Sequence, residues 1–190
     1  MDSTEKTRQV IVEAASSLFV DQGYSSVGVR QIAEKACVPP ALLYRYFGSK
    51  LELFEEVIRS FEGLEALWRC PSERLPEKLT RLVLQDDDEL GSVRKCLSLF
   101  VNSVGCEEAS PVLRRILLNR VLPAMSPHFV DKLSLEKAYL LTSIIFGVFI
   151  VRGVIRTPEE GSKLEELLRD SFCFQRSESE PVAARKVIHL

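Results

Sequence analysis

Residues 29–50, VRQIAEKACVPPALLYRYFGSK, restrict the fold of this chain more than any other stretch. They predict one short helix from Val29 to Ala36 and a second from Pro40 to Phe47, joined by the turn Cys37-Val38-Pro39. A helix, a short turn and a second helix form the layout of a helix-turn-helix. In that motif the second helix enters the DNA major groove with its N-terminal residues against the base edges.

The ends of both helices carry the expected residues. Pro40 fits the first helical position because its missing N–H would be unpaired there in any case. Gly28 is placed to cap the first helix, Gly48 to end the second, and Ser49 to cap the helix that follows. The pattern therefore predicts a further helix beginning at Lys50.

The segment before this motif, from about Ser3 to Val20, has the pattern of an amphipathic helix. Its apolar residues recur at spacings of three and four: Ile11, Ala14, Ala15, Leu18 and Phe19. Gly23 stands where a left-handed residue is expected just beyond a helix end, and we expect Tyr24 to pack back under the helix. Residues 1–50 are thus predicted to form a three-helix unit, called the head below.

Charge alone does not indicate a nucleic-acid partner. The chain carries 25 Lys and Arg against 27 Asp and Glu, a formal net charge of −2, whereas a protein that binds DNA over its whole surface is basic. The head carries six Lys and Arg against five Asp and Glu. Any contact with DNA must therefore be local.

The five scattered cysteines form no CxxC pair, and the two histidines lie near no cluster of metal ligands. This usage fits free thiols in a reducing, cytoplasmic compartment. We find no catalytic set and no glycine-rich phosphate loop, so neither an enzyme nor a cofactor or metal is expected. The start of the chain lacks a signal-peptide pattern. The longest apolar run, 138–151, is shorter than the roughly 20 residues needed to cross a membrane.

Beyond the head the pattern stays helical, without strand-like alternation, so the predicted fold class is all-α. One helix is predicted from Lys50 to about Arg69 along a continuous apolar stripe, joining the head to the rest of the chain. A helix from about Leu135 to Ile155 is apolar on nearly all sides, which is typical of a buried helix. In it Ser143 and Gly147 form a notch of small residues that accepts another helix, from a second copy or from the same chain.

The order of these features resembles the TetR family of bacterial transcriptional regulators. The resemblance covers roughly Thr7 to Phe54: an amphipathic helix, Gly23-Tyr24, then IAEKACV, then LLYRYFGSKLELF. Cys37 departs from the family pattern where the turn usually has Gly, and Pro39 departs where the second helix often starts from Ser or Thr. Neither change removes a DNA-facing group. The resemblance implies a head that binds DNA, joined to a C-terminal helical bundle for ligand binding and dimerisation.

The resemblance also implies roles for single residues. The residues expected to contact DNA are Arg30, Pro40, Ala41, Leu42, Tyr44, Arg45, Tyr46 and Lys50. Tyr44 matches the family's phosphate-contacting tyrosine and Lys50 its backbone-anchoring lysine, while the first three residues of the second helix stand where base edges are read. Arg30 and Arg45 are candidates for guanine or for phosphate. For Tyr46 half-buried packing, and for Arg45 a solvated charge, remain alternatives.

The helical body is predicted to hold a second copy of the chain and a small effector. The residues expected in the dimer interface are Ser143, Gly147, Ile150, Val151, Leu164 and Leu168, on the apolar helix and on a last helix from Lys163 to about Phe174. A twofold dimer would recognise an inverted repeat in double-stranded DNA. The candidate effector-pocket residues are Trp68, Phe100, Asn102, Ser103, Asn119, Tyr139 and Phe146, with plain core packing as the alternative for each. Their thin polar complement favours an apolar effector.

We expect three parts: a helix-turn-helix domain at 1–50, an effector-binding and dimerisation domain at 51–175, and a polar tail at 176–190. The predicted function is that of a repressor released from an inverted-repeat operator by a small, largely apolar effector. The alternative is a helical ligand-binding or interaction module whose helix-turn-helix no longer reads DNA. The near-neutral head and the apolar Pro40-Ala41-Leu42 edge favour that alternative.

Overall fold

The computed structural model describes residues 3–61, 63–84, 90–125 and 134–154. The head contains α1 (Ser3–Ser26), α2 (Val29–Lys35) and α3 (Pro40–Phe47), and α4 (Lys50–Ser60) follows. The body continues with α5 (Gly63–Leu67), a 3-10 turn (Ser72–Arg74), α6 (Leu75–Leu84) and α7 (Gly91–Ser103). It then contains α8 (Ser110–Ile116), a π-helical turn (Leu117–Val121), α9 (Leu122–Met125) and α10 (Ser134–Val154). Every regular element in these ranges is helical, which confirms the predicted all-α class. The helix predicted from Lys163 and the tail lie outside the described residues.

The end of α1 is shaped by one glycine. The backbone leaves the helical conformation at Gly23, where φ is 75° and ψ is 168°, a combination that is essentially restricted to glycine. This turn brings the fully buried Tyr24 back against Phe19, with ring centroids 5.9 Å apart. Phe54 of α4 packs edge-on against both rings. The predictions for Gly23 and Tyr24 are thus confirmed.

The helix α3 has the predicted bounds, and α2 ends at Lys35, one residue before the predicted end at Ala36. The Gly28 N–H donates to the side-chain oxygen of Gln31 at 2.6 Å, which is half of a capping box, since glycine has no side chain to reciprocate. Gly48 ends α3 with φ 74°, and the Ser49 hydroxyl accepts from the Glu52 N–H at 3.1 Å. Cys37 in the turn has φ 54°, the left-handed region in which glycine is favoured.

The prediction of one continuous helix from Lys50 to Arg69 is wrong. The helix ends at Ser60, and Phe61 is extended, with φ −68° and ψ 135°. The apolar periodicity continued past this break because Phe61 and Trp68 are both buried in the same core. Two short helices packed on one core leave the same sequence pattern as one long helix.

The head joins the body mainly through α1, which packs along α7 as well as against α4. The Tyr24 N–H donates to the buried hydroxyl of Ser103 at 3.0 Å. The amide of Asn102 donates to the carbonyl oxygen of Val20 at 2.7 Å. Gly23 lies so close that an added Cβ would stand 2.0 Å from the backbone oxygen of Asn102. The end of α7 therefore fixes the position of the head directly.

The apolar helix α10 is buried on only one side of this single chain. Ala138, Leu141 and Ile145 face the core. The other side exposes Tyr139, Leu140, Ser143, Gly147, Ile150 and Val151. At 100° per residue these six positions fall within one third of the helix circumference. We call this surface the α10 stripe. Burial of α10 on all sides would therefore require a partner on the α10 stripe. Among the described residues, no helix is long and apolar enough to cross a membrane.

Candidate nucleic-acid interface and ligand sites

The helix α3 presents a distinct face to solvent. Pro40, Ala41, Tyr44 and Arg45 are exposed on it, whereas Leu43 and Phe47 are buried against the rest of the head. Positions i, i+1, i+4 and i+5 lie on one side of a helix. Four of the residues that the resemblance assigned to DNA thus share one accessible surface. Tyr44 is the most exposed aromatic side chain of this face, at 56%.

Two other α3 residues lie at the edge of this face. Leu42 and Tyr46 are each half-buried. The guanidinium of Arg45 lies 5.4 Å from the centre of the Tyr46 ring, within the range of a cation–π contact. Tyr46 is therefore in contact with Arg45, and its half-buried position agrees with the packing alternative.

Several cations of the head and the α4 start have partners within the chain. Arg8 pairs with Glu56 at 2.8 Å and lies over the Phe47 ring, and Lys35 donates to the Ser17 hydroxyl at 2.6 Å. Arg30 is exposed on α2. Together with Arg45 it supplies positive charge on the solvent side of the motif.

Lys50 has an internal role that the sequence did not reveal. Its ammonium donates to the carbonyl oxygens of Tyr24 and Val27, both at 3.1 Å, and lies 3.9 Å from the centre of the Tyr24 ring. These two carbonyls belong to the chain just after Gly23, where the Tyr24 carbonyl also accepts from the Val27 N–H at 3.4 Å. Lys50 thus fastens the start of α4 to the end of α1.

Tyr24 is the residue of this region that sequence reasoning undervalued. Its hydroxyl donates to the carboxylate of Glu108 at 2.7 Å. Burial, followed by that hydrogen bond and the negative charge of Glu108, raises the pKa of Tyr24 well above its usual range. The only sequence signal was its position after Gly23. Its partners Ser103 and Glu108 come from about 80 residues away along the chain.

The seven candidate effector residues do not form one pocket. Trp68 and Phe146 line a narrow crevice with Leu97, Val121, Thr142 and Ile145, and Phe100 lies beside it, 6.0 Å from Phe146 between ring centroids. The free space in this crevice is about 10 Å³, roughly room for one water molecule.

The other four candidates lie elsewhere. Asn102 and Ser103 hold the head through Val20 and Tyr24. Asn119 is exposed on the π-helical turn, and Tyr139 is exposed on the α10 stripe.

Of the predicted dimer residues, Ser143, Gly147, Ile150 and Val151 all lie on the α10 stripe, while Leu164 and Leu168 lie outside the described residues. A Cβ added at Gly147 would have no contact within 4 Å outside its own helix backbone and its chain neighbours. The small-residue notch is therefore not filled by another described helix of the same chain. A search of the described residues finds no group of three or more His, Cys, Asp or Glu that could hold a metal ion.

The arrangement is that of a helix-turn-helix regulator, and comparison with known proteins identifies the family. Residues 11–57 match the tetR family of bacterial regulatory proteins, and residues 73–171 match the tetracyclin repressor-like C-terminal domain. The second match alone covers more than half of the chain. The chain belongs to the TetR family of bacterial regulatory proteins.

Curated relatives match mainly the head. The chain is 44% identical over 55 residues to the HTH-type transcriptional activator FasR of Mycolicibacterium smegmatis, covering 29% of this chain and 25% of FasR. It is 33% identical over 84 residues to the HTH-type transcriptional repressor KstR of Rhodococcus jostii, covering 44% of this chain and 40% of KstR. The chain thus spans less than half the length of these relatives.

A solved structure matches more of the chain. NalD, the secondary repressor of the MexAB-OprM multidrug efflux pump in Pseudomonas aeruginosa, superposes with a TM-score of 0.63 at 21% identity, over 90% of this chain and 96% of NalD. At this identity the likeness shows the fold alone.

Proposed function

We propose that this chain is a sequence-specific DNA-binding transcriptional regulator that acts as a twofold dimer. The observation that carries the proposal is the exposed face of α3, with Tyr44 and Arg45 beside the small residues Pro40 and Ala41. Tyrosine hydroxyls and guanidinium groups contact phosphate, and small apolar residues allow the helix to approach the base edges. Membership of a family of regulatory proteins supports the same function.

The dimer is supported by the α10 stripe. This stripe contains the apolar residues Leu140, Ile150 and Val151 and the small-residue notch at Ser143 and Gly147. All of them lie on one exposed side of a 21-residue helix. Small residues allow two helices to approach closely, and the surrounding apolar side chains lose contact with water when they do so. Two heads related by this contact would read half-sites about 34–36 Å apart, or a multiple of that spacing, which corresponds to an inverted-repeat operator.

Repression with release by an effector is the regulatory scheme that we propose. The crevice at Trp68, Phe100 and Phe146 is apolar, so an apolar ligand would enter it by moving these side chains apart. Such movement of α7 would shift α1, because Asn102 and Ser103 at the end of α7 hold the head. Coupling of about 1–3 kcal/mol between the two sites is typical of such linkage.

Binding to the DNA upstream of its own gene tests the proposal. In gel shifts over a range of salt concentrations, Arg45→Ala should reduce the salt slope of the dimer by about 1.8, or about 0.9 for each of the two copies, if Arg45 contacts phosphate. It should instead cost about 1–3 kcal/mol of sequence discrimination in each half-site if Arg45 reads guanine. Tyr44→Phe should weaken binding to every sequence by about 1 kcal/mol for each copy, or about thirtyfold for the dimer. Arg114→Ala, which removes an exposed arginine of α8, is the matched control.

Two outcomes would decide against the proposal. A folded wild-type protein that forms no complex at low salt would favour the interaction module with an inactive helix-turn-helix. Equal losses in Arg45→Ala and Arg114→Ala would mean that α3 has no special role. The effector scheme is tested separately with the fluorescence of Trp68, the single tryptophan: an apolar ligand should change its emission and release the DNA.

A further inference from the structure

A cleft in the body has a chemistry unlike that of the apolar crevice. It lies where α5, the 3-10 turn and α6 approach the start of α7, and its volume is about 520 Å³. Small-molecule sites usually measure roughly 300–1,000 Å³. The lining residues are Arg69, Cys70, Pro71, Arg74, Glu77, Lys78, Arg81 and Leu90. Four cations and one carboxylate thus line a single concave surface in a chain whose net charge is −2.

The cations converge because of the helix geometry. Lys78 and Arg81, three residues apart, share one side of α6, while Leu79 and Leu82 on the other side are buried. Arg74 ends the 3-10 turn that leads directly into α6. Lys78 is held in place because its ammonium donates to the carbonyl oxygen of Ala66 at 3.0 Å.

Two of these cations affect the pKa of the Cys70 thiol. Burial raises the pKa of its thiol, while the nearby positive charges of Lys78 and Arg74 oppose that rise. Lys78 and Arg74 therefore both lie near the Cys70 thiol, which lines the same cleft.

Two arginines at the rim are available to a ligand. Arg69 and Arg74 are exposed, and within the part of the chain that the structure describes their guanidinium groups make no ion pair. Like charges that line one cleft repel one another, and an anion between them removes that cost. A guanidinium fork matches the oxygens of a phosphate or carboxylate in a bidentate way.

We propose that this cleft binds a small phosphorylated molecule, with Arg69 and Arg74 on the phosphate and Pro71 and Leu90 against its organic part. A phosphate supplies two negative charges and three terminal oxygens, which suits two guanidinium groups above the fixed ammonium of Lys78. The cleft includes no residue of the head, so this binding goes beyond the proposed function and is measurable without DNA.

Calorimetric titration of the full chain with inorganic pyrophosphate, at constant ionic strength, tests the proposal. Wild type should bind pyrophosphate, and it should bind chloride or acetate at least about tenfold more weakly. The double variant Arg69→Gln/Arg74→Gln should lose at least tenfold in affinity with an unchanged circular-dichroism spectrum, since both side chains are exposed. Arg114→Gln on α8, outside the cleft, should bind as wild type does.

Four results would overturn the proposal. The first is no heat with wild type, and the second is an equal loss in Arg114→Gln, which would indicate only diffuse attraction. The third is binding that appears only in Asp86→Asn/Asp87→Asn/Asp88→Asn, because the carboxylates of residues 86–88 would then be the natural occupants of the cleft. The fourth is a loss of random-sequence DNA binding in the double variant as large as its loss of pyrophosphate binding, which would make the cleft part of a DNA surface.

Discussion

Gly23→Ala should be among the most damaging single substitutions in the head. Alanine at φ 75° and ψ 168° occupies a region that costs a non-glycine residue about 1–3 kcal/mol. The new Cβ would stand 2.0 Å from the backbone oxygen of Asn102 and 2.7 Å from its carbonyl carbon. Since neither atom can rotate away, α1 and α7 must separate, and such overpacking costs about 1–3 kcal/mol more.

The two costs together predict a loss of about 2–6 kcal/mol, a large part of the 5–15 kcal/mol typical of a folded domain. For a chain of this size that corresponds to a fall in Tm of about 4–24 °C, at roughly 2–4 °C per kcal/mol. Urea unfolding followed by circular dichroism, at one fixed protein concentration, measures the change in free energy. The concentration is fixed because a dimer would make the apparent stability depend on it.

Gly91→Ala is the matched control for this substitution. Gly91 begins α7, and nothing lies within 4 Å of an added Cβ, so its effect should stay within about 1 kcal/mol. The Asn102→Ala change should not rescue Gly23→Ala, because the clash involves the backbone. If Gly23→Ala proves as stable as Gly91→Ala, the close approach of α1 and α7 is not a feature of the folded protein and the reasoning fails.

Three further predictions concern the head and the α10 stripe. Since the folded state raises the pKa of Tyr24, its contribution to stability is present below the unfolded pKa of about 10 and is lost at higher pH. Stability should therefore fall above pH 10 by up to about 1.4 kcal/mol per pH unit more in wild type than in Tyr24→Phe, and equal slopes would contradict this. Lys50→Met should cost about 1–3 kcal/mol of unfolding free energy through its two carbonyl bonds, and an unchanged urea midpoint would leave phosphate binding as its only role. Leu140→Asn/Val151→Asn should yield monomers in sedimentation while the helical spectrum persists; persistent dimers would place the interface elsewhere.

The apolar periodicity and the helix-end residues by themselves determine much of the head. Pro40, Gly48 and Ser49 fix helix ends by local backbone chemistry, so their effects are readable from neighbouring residues alone. Gly23 was predictable for the same reason. Tertiary structure was needed to explain why that glycine cannot change, because the atom it approaches belongs to Asn102, which is 79 residues further along the chain.

The sequence did not predict a structural feature correctly where two different structures produce the same apolar pattern. The break at Phe61 was invisible because the helices on both sides of it bury their residues in one core. Lys50 occupies a position of the family motif, and its ammonium also binds two carbonyl oxygens within the chain. Only the positions of Tyr24 and Val27 in the fold reveal the second role.

The sequence by itself determined the class of fold, the helix-turn-helix and the apolar character of α10, since these depend on spacing along the chain. Tertiary structure decided which side of α10 stays exposed, that Trp68 and Phe146 meet while Asn102 and Ser103 hold the head, and that the cations of the body converge on one cleft. Those outcomes depend on the packing of distant segments, and hydrogen bonds, clashes and charge between such segments leave no periodic trace in the sequence.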